Sequence, residues 1–427
     1  MEDKIVGKHV LIIGGGFVGL TLAAKLLKTV TTDITILEKN LDKLVKFENG
    51  VYGVYEPGLD EIIQTAKQQN RIRFTHDLAQ EKFQVVFICI NTIKNESNRV
   101  DSIITLVKEL LNNINKQGFI CLRSTVPIGT TSHVKKFLDE SLRFDVKVFF
   151  APERTVEGIA LQELDSLPQI VGSFNQDNSQ AESDLLRSLG FKVIGMSNPE
   201  SAEFLKLISN IWRDSNFAIV NELAIFSEKL KLDIFEIIEK SNTEYPRSKI
   251  PFPGPVGGPC LSKDTYLFFE SFKTNLRDES IIFRSRTRNE EVVNIAYSKI
   301  IEFLGSDRKE LVFIGGAFKG KPRTNDFRNS FTQDLSILLQ EKNIEISIWD
   351  PTLLPRDLLG FSQCYKYDLD DRVYDVVVIG NNSDFLFDNQ VINYLKNLPK
   401  TTLVVDMWGV TKSLDIKAEM YRFGIGN

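Results

Sequence analysis

The sequence predicts an α/β protein built on two doubly wound sheets with a long helix between them. Three observations carry this prediction. A short apolar strand, a glycine turn and an amphipathic helix follow one another in "HVLIIGGGFVGLTLAAKLL" (9–27). The run "SAEFLKLISNIWRDSNFAIVNELAIFSEKL" (201–230) holds neither proline nor glycine and reads as one helix. A new strand-and-helix pattern begins after residue 305 with "ELVFIGGAFKG".

A chain of 427 residues is too long for one ordinary core, so two or three domains are expected. The composition, 42% hydrophobic and 26% charged with a net charge of -5, is that of a soluble globular protein and gives no reason to expect a nucleic-acid or membrane partner. No apolar run reaches the roughly 18 residues of a membrane span. The N-terminal residues lead directly into a strand with no signal-peptide layout, and the four cysteines make no disulfide framework or metal-ligand spacing. A reducing, cytoplasmic setting and no metal are the expectations.

In the first segment, Gly14, Gly16 and Gly19 fit G-x-G-x-x-G, with Phe17 and Val18 opening the helix. The first glycine permits the tight turn, the second lets backbone approach a pyrophosphate, and the third lets the helix pack on the strand. The strand "DITILEK" ends at Glu38, 19 residues beyond Gly19. An acid there suits the ribose 2′-hydroxyl of NAD and repels the 2′-phosphate of NADP. NAD is therefore the expected cofactor. Further strands are expected at 83–91, 118–126 and 146–153, separated by helices as in a parallel sheet. Ligands collect at the carboxyl ends of such strands, which places Asn91, Thr92, Ser124, Thr125 and Glu153 near the cofactor. Cys89 and Cys121 read as core residues, and His133 as a surface or capping group.

On the long helix, Lys206 and Asn210 are spaced i, i+4 among Phe204, Leu205, Leu207, Ile208 and Ile211, with Glu203 and Arg213 on nearly the same stripe. A lysine and an asparagine in such surroundings suit an oxyanion. In "GPVGGPCLSKD" (254–264), the paired glycines allow a tight turn, and Pro259 is expected as the first residue of a helix. Cys260 then falls in the first helical turn, where the helix dipole and unpaired N–H groups favour a thiolate, and Asp264 lies one turn on. This reads as a nucleophile; the serine, lysine and aspartate read equally as helix-start residues.

Taken together, these motifs resemble the nucleotide-sugar 6-dehydrogenases, the UDP-glucose/GDP-mannose dehydrogenase family. The likeness runs through "GGGFVGL", "RSTVPIGTT" (123–131), "APERTVEG" (151–158), "EFLKLISNIWRDSNFAIVNELA" (203–224), "GPVGGPCLSKD", "FIGGAFKGKPRTNDFRNS" (313–330) and "WDP" (349–351). It implies two Rossmann-like domains, 1–197 and 305–427, joined by a helical middle domain, 198–304, whose long helix dimerises. It implies four-electron oxidation of a primary alcohol by two NAD in succession, through a thiohemiacetal and thioester on Cys260. Lys206 and Asn210 would stabilise the oxyanion or hold a water, Asp264 would position a proton-transferring water or the lysine, and Thr125 and Glu153 would orient water for thioester hydrolysis. On the cofactor side the matches are Lys43, Thr92, Thr125, Lys263 and Arg328. On the substrate side they are Glu153, Arg154, Arg247, Gly257 and Lys319, with Arg247 resembling an arginine that reaches a neighbouring subunit's sugar.

Departures from the pattern lie in the loops. "PGPVGG" is a residue short, Ile128 replaces a second proline, and Ser262 stands where proline is common. The "PERTVEG" and "PGPVGGPC" patterns look more like members acting on UDP-N-acetylhexosamines, such as the N-acetylglucosamine or N-acetylmannosamine nucleotides, than like UDP-glucose or GDP-mannose enzymes. Two other readings differ in stoichiometry: a two-electron hydroxyacid dehydrogenase needs neither Cys260 nor a third domain, and a non-catalytic nucleotide-sugar-binding protein makes no NADH.

Overall fold

The computed structural model describes residues 9–30, 32–91, 99–174, 180–247, 249–272, 276–277, 279–305 and 310–426. The chain divides into two compact units, residues 1–209 with 267–273, and residues 210–266 with 274–427.

The first unit is built on strands β1 (Val10–Ile13), β2 (Ile34–Leu37), β3 (Ile72–Thr75), β4 (Phe83–Ile88), β5 (Ile114–Leu122), β6 (Lys147–Phe150), β7 (Gln169–Ser173) and β8 (Val193–Met196). Between them run helices α1 (Phe17–Thr29), α2 (Leu41–Glu48), α3 (Leu59–Gln68), α4 (Arg99–Glu109), α5 (Thr130–Ser141), α6 (Ala160–Ser166) and α7 (Gln180–Ser188). The strand order is β3-β2-β1-β4-β5-β6-β7-β8. Alternate strand residues feed two cores, so the central strands are apolar throughout. Val10, Ile12, Val85 and Phe87 pack with Leu20, Leu26 and Ile63 on one face. Leu11, Ile13, Val86 and Ile88 pack with Ile103, Val107, Val134 and Leu138 on the other. Each such buried side chain contributes about 1.5–3 kcal/mol.

The strands depart from the sequence-based expectation in several places: β4 stops at Ile88 and β6 at Phe150, each three residues short of the expected end. β5 starts at Ile114 and stops at Leu122, so Arg123 to Val126 form a loop rather than the end of a strand. β7 pairs with β6 antiparallel, which breaks the all-parallel pattern. After β6, residues 151–159 form an extended turn, leaving only the seven-residue α6 before β7.

A 31-residue helix, α8 (Pro199–Lys229), follows, close to the expected span. Then come α9 (Ile234–Asn242), α10 (Leu261–Glu270) and α11 (Ile281–Leu304). The second sheet holds β9 (Glu310–Ile314), β10 (Glu345–Trp349), β11 (Val376–Ile379), β12 (Leu403–Asp406) and β13 (Glu419–Arg422), with α12 (Phe331–Gln340) and α13 (Asn389–Asn397). All its pairings are parallel, in the order β10-β9-β11-β12-β13. Phe313, Val378 and Val405 meet Val292, Ala296 and Leu335 on one face. Val312, Val377 and Val404 meet Val391 and Leu395 on the other. Among the described residues, no helix is long and apolar enough to cross a membrane.

Candidate active site

The chain passes from β1 to β2 and β3 on one side and then crosses to β4 on the other, so β1 and β4 flank the topological switch point where ligands bind in such sheets. The glycine turn leaves β1 there. Gly14 has φ +105, and a Cβ on it would lie 2.6 Å from the Cys89 carbonyl oxygen at the end of β4. A Cβ on Gly19 would lie 2.0 Å from the Gly14 carbonyl oxygen, so only glycine lets α1 pack against the turn. Gly16 differs: it caps α1 in an extended conformation, and a Cβ there would meet nothing within 4 Å. Backbone open to space at the start of a helix, beside Phe17 and Val18, is a cradle of the kind a pyrophosphate occupies. Glu38, just past β2, accepts from the Gly15 N–H at 3.1 Å and the Asn40 N–H at 3.0 Å, and Lys43 Nζ lies 3.4 Å from its Oε2. These residues fit NAD. Thr92 lies outside the described residues, and Asn91 is exposed beyond β4.

Beyond β5, Ser124 Oγ donates to the Ile90 carbonyl at 2.7 Å, which anchors the loop that carries the half-buried Thr125. Glu153 is buried against Arg123, with Oε2 at 2.5 Å from Nη2, while its Oε1 accepts from the Arg154 and Thr155 N–H groups. Burial alone would raise the Glu153 carboxyl. The Arg123 charge and the N–H groups of Thr155 and Arg154 hold it below the ordinary range. Glu153 is thus a fixed carboxylate and a weak base. The Arg154 side chain is exposed. Cys89 and Cys121 are core residues, and burial pushes the Cys89 thiol up to about 12. His133 is exposed at the start of α5, its Nδ1 2.7 Å from the Gly129 carbonyl.

α8 carries a buried polar stripe: Glu203, Lys206, Asn210, Asp214 and Asn221 are each at most 9% exposed. Arg213, expected on this stripe, is exposed instead, because the i, i+4 step from Asn210 falls on Asp214. Glu203 caps α5, accepting from the N–H groups of Gly129 and Thr131 and from the Thr131 hydroxyl at 2.6–2.8 Å. Burial pushes its carboxyl up to about 7 from 4.5. In the folded state it therefore keeps a proton that the unfolded chain releases. Its contribution to stability is full below about pH 4.5 and is lost as pH rises through about 7. Thermal unfolding across that window should show a slope that Glu203→Gln removes.

Cys260 is exposed and sits at the N-cap of α10, its carbonyl accepting from the Lys263 and Asp264 N–H groups at 3.2 and 3.0 Å. The helix begins at Leu261, two residues later than the sequence suggests, so Pro259 precedes the cap and Cys260 is not in the first turn proper. The cap residue still lies at the positive end of the helix, which favours a thiolate. Asp264 is 1% exposed. Its Oδ2 accepts from Asn210 Nδ2 at 2.6 Å and its Oδ1 from Lys263 Nζ at 2.6 Å. The paired glycines wedge the turn in place. A Cβ on Gly257 would lie 2.1 Å from the Asn329 carbonyl oxygen, and one on Gly258 (φ +89) would strike the Phe318 ring at 2.5 Å. Ser262 donates to the Gly258 carbonyl and accepts from Asn329.

The glycine turn after β9 differs from the one after β1. Asp350 at the end of β10 accepts from the Gly316 and Ala317 N–H groups at 2.8 and 3.2 Å, and a Cβ on Gly315 would strike Asn381. A buried carboxylate already holds the groups that would face a pyrophosphate, which agrees with the incomplete fingerprint there. Lys319 Nζ lies over the Phe318 ring, and Arg328 pairs with Asp326. Arg247 stacks over Tyr245 and, with Arg213, Lys249, Trp212 and Phe217, lines a cavity of about 610 Å³. Cys260, Asn210 and Asp264 do not line that cavity.

Two family models match the chain. The UDP-glucose/GDP-mannose dehydrogenase NAD-binding domain covers residues 8–189, and the central domain of the same family covers 200–291. The chain belongs to the UDP-glucose/GDP-mannose dehydrogenase family. Among curated relatives, a UDP-N-acetyl-D-mannosamine dehydrogenase of Methanococcus vannielii is 26% identical over 95% of this chain and 93% of its own. One so named from Campylobacter jejuni is 29% identical over 81% and 86%. The fold is that of a solved UDP-D-ManNAc dehydrogenase from Pyrococcus horikoshii, with a TM-score of 0.85 at 24% identity over 98% of this chain and 99% of that one. As a member of this family, the chain is an NAD-dependent nucleotide-sugar dehydrogenase.

Sequence reasoning missed the groups that hold the cysteine turn: Asp214, Asn221, Arg286 and Asn289, all at most 1% exposed. Asp214 and Asn221 extend the α8 stripe and were legible there by spacing. Arg286 and Asn289 lie in "RSRTRNEE", where nothing distinguishes them from solvated neighbours.

Proposed function

We propose that the chain oxidises the C6 hydroxymethyl of a UDP-N-acetylhexosamine to a carboxylate in two successive two-electron steps, with Cys260 as the nucleophile that joins them. The observation that carries this reading is the exposed thiol at the N-cap of α10, one turn ahead of a buried aspartate bonded to both Lys263 and Asn210. NAD, when bound, supplies the hydride acceptor for each oxidation. Cys260 Sγ adds to the C6 aldehyde to form a C–S bond, and its carbon then loses a hydride to become a thioester. Water cleaves the thioester, releasing the carboxylate and the thiol. Lys206 stabilises the oxyanion formed at each addition, and Asn210 holds it or a water. Asp264 fixes Asn210 and Lys263 and positions a water that moves the proton. Thr125 and Glu153 orient the hydrolytic water, the latter as an acceptor, in keeping with its lowered carboxyl.

Gly14, Gly16, Phe17, Val18, Gly19, Glu38 and Lys43, with Thr92, Thr125, Lys263 and Arg328, are assigned to NAD. Glu153, Arg154, Lys206, Asn210, Arg247, Gly257 and Lys319 are assigned to the sugar nucleotide. We further propose the domain division 1–197, 198–304 and 305–427, a cytoplasmic setting, and a nucleotide-linked uronic acid made for surface polysaccharide. A homodimer through α8 is supported by its exposed apolar row, Phe204, Ile208, Trp212, Ile219, Leu223 and Phe226, each 41–72% exposed.

The relatives named for UDP-N-acetyl-D-mannosamine favour that sugar over its N-acetylglucosamine epimer. UDP-glucose is the second reading, because a Bacillus subtilis UDP-glucose 6-dehydrogenase is 25% identical over 82% of this chain. NADH formation with UDP-N-acetylmannosamine, UDP-N-acetylglucosamine, UDP-N-acetylgalactosamine, UDP-glucose and GDP-mannose tests the choice. The expected result is the highest kcat/KM for UDP-N-acetylmannosamine. Preference for UDP-glucose or GDP-mannose overturns the hexosamine assignment, and no NADH with any sugar favours a non-catalytic binding protein.

A further inference from the structure

We propose that Arg286 is a positioning residue for the reaction, acting through the backbone of the Cys260 turn; this rests on the reading of Cys260 as the nucleophile. Its guanidinium lies on α11, 1% exposed. Nη1 donates to Asp214 Oδ1 at 2.8 Å and to the Leu261 carbonyl at 3.2 Å, and Nη2 donates to the Val256 carbonyl at 3.2 Å. Leu261 follows the cysteine and Val256 lies four residues before it, so one planar group spans the turn. Asn289, one helical turn along α11, donates to the Asp214 carbonyl at 2.8 Å and to its Oδ1 at 2.9 Å. Asn221 donates to Asn289 Oδ1 at 2.9 Å and exchanges two hydrogen bonds with Gly254, at 3.0 and 2.8 Å. The turn is thereby held at Gly254, Val256 and Leu261 by side chains from two helices.

Stability alone does not call for such an arrangement. A buried ion pair is often no more stabilising than apolar packing of the same volume, because both charges must be desolvated. What the four groups supply is geometry: a fork of donors that fixes two carbonyls at once, which a lysine with its compact charge cannot reproduce. They also place a fixed positive charge at the backbone of the residue that follows the cysteine. A nucleophile that must meet an aldehyde carbon loses about 10²-fold in rate for a misplacement near 1 Å.

The test is Arg286→Lys in the full chain with NAD bound. Three readouts apply: the rate of Cys260 alkylation by iodoacetamide as a function of pH, the NADH made per sugar, and aldehyde trapped by hydroxylamine. Cys89, Cys121 and Cys364 are buried, so peptide mass reads Cys260 cleanly. The expected result is an altered alkylation pH profile, a fall of about 10²-fold in kcat for acid formation, NADH per sugar dropping from two towards one with trapped aldehyde, and unchanged NAD affinity. Asn221→Asp, which keeps the acceptor for Gly254 but removes both donors, should shift the same readouts in the same direction. A variant that melts earlier yet keeps wild-type alkylation, stoichiometry and kcat per folded molecule overturns the proposal. Cys260→Ser in the same assays separates the two claims. Acid formation that persists in it sinks the nucleophile reading, whereas its loss there with an unaltered Arg286→Lys enzyme sinks only the role of Arg286.

Discussion

A Cys260→Ser enzyme is expected to make no measurable carboxylate while binding NAD and the sugar nucleotide as the parent does. Cys260 is exposed at a helix cap, where its carbonyl accepts the first helical hydrogen bonds. The exchange should therefore change stability by no more than about 0.5 kcal/mol. Chemistry is a different matter. A thiol can become a thiolate at the positive end of α10, and its adduct with an aldehyde can lose a hydride to give a thioester that water cleaves. A serine hydroxyl in the same place stays protonated near neutrality. Removal of a nucleophile of this kind typically costs about 10⁴-fold or more in kcat. The check is acid produced per enzyme, alongside an NAD titration. Unchanged acid output would end the thioester mechanism.

The second large effect separates two glycines of one motif. Gly16→Ala should leave the fold untouched and remove NAD binding. The residue is extended, with φ −97, and an added Cβ meets no atom within 4 Å. That open space is where a pyrophosphate would approach the backbone, so the methyl group and the ligand compete for it. A loss of roughly 10²-fold in affinity, about 2.7 kcal/mol, is expected. Gly19→Ala should behave in the opposite order. Its Cβ would lie 2.0 Å from the Gly14 carbonyl oxygen and 3.3 Å from Ile12, in a contact that only a shift of α1 can relieve. Overpacking of this sort costs about 1–3 kcal/mol, and NAD affinity falls with it. Thermal unfolding and NAD titration of the two variants, side by side, read the difference. A destabilised Gly16→Ala or a fully stable Gly19→Ala would contradict the packing described for the turn.

What the sequence disclosed follows from how local each feature is. The first glycine turn and Glu38 are legible because strand, turn, helix and second strand are adjacent in the chain. The long helix shows itself by the absence of breakers, and the cysteine turn by Gly257, Gly258 and Cys260. The error at this level is of two residues: Pro259 was expected to open the helix, and Leu261 opens it instead. The features that escaped notice depend on distant partners. Arg286 meets Asp214 across 72 residues, and Arg123 meets Glu153 across 30. Arg286, Asp214 and Arg123 read in the sequence only as further charged residues in a chain that is 26% charged, and Glu153, though picked out by its place past a strand, did not reveal its partner. The antiparallel β7 escaped because nothing in "PQIVGSF" records direction, and β13 because "EMYRF" is short and only half-buried. Asp350 could be placed at a strand end, but not seen to occupy the second glycine turn.

The most direct measurement is the number of NADH formed per molecule of the preferred sugar nucleotide, followed to exhaustion of the sugar, with the product's charge read at the same time. The four-electron mechanism predicts two NADH and one new carboxylate for each sugar consumed. One NADH per sugar with an accumulating aldehyde would contradict it, because Cys260 would then have no part in the reaction.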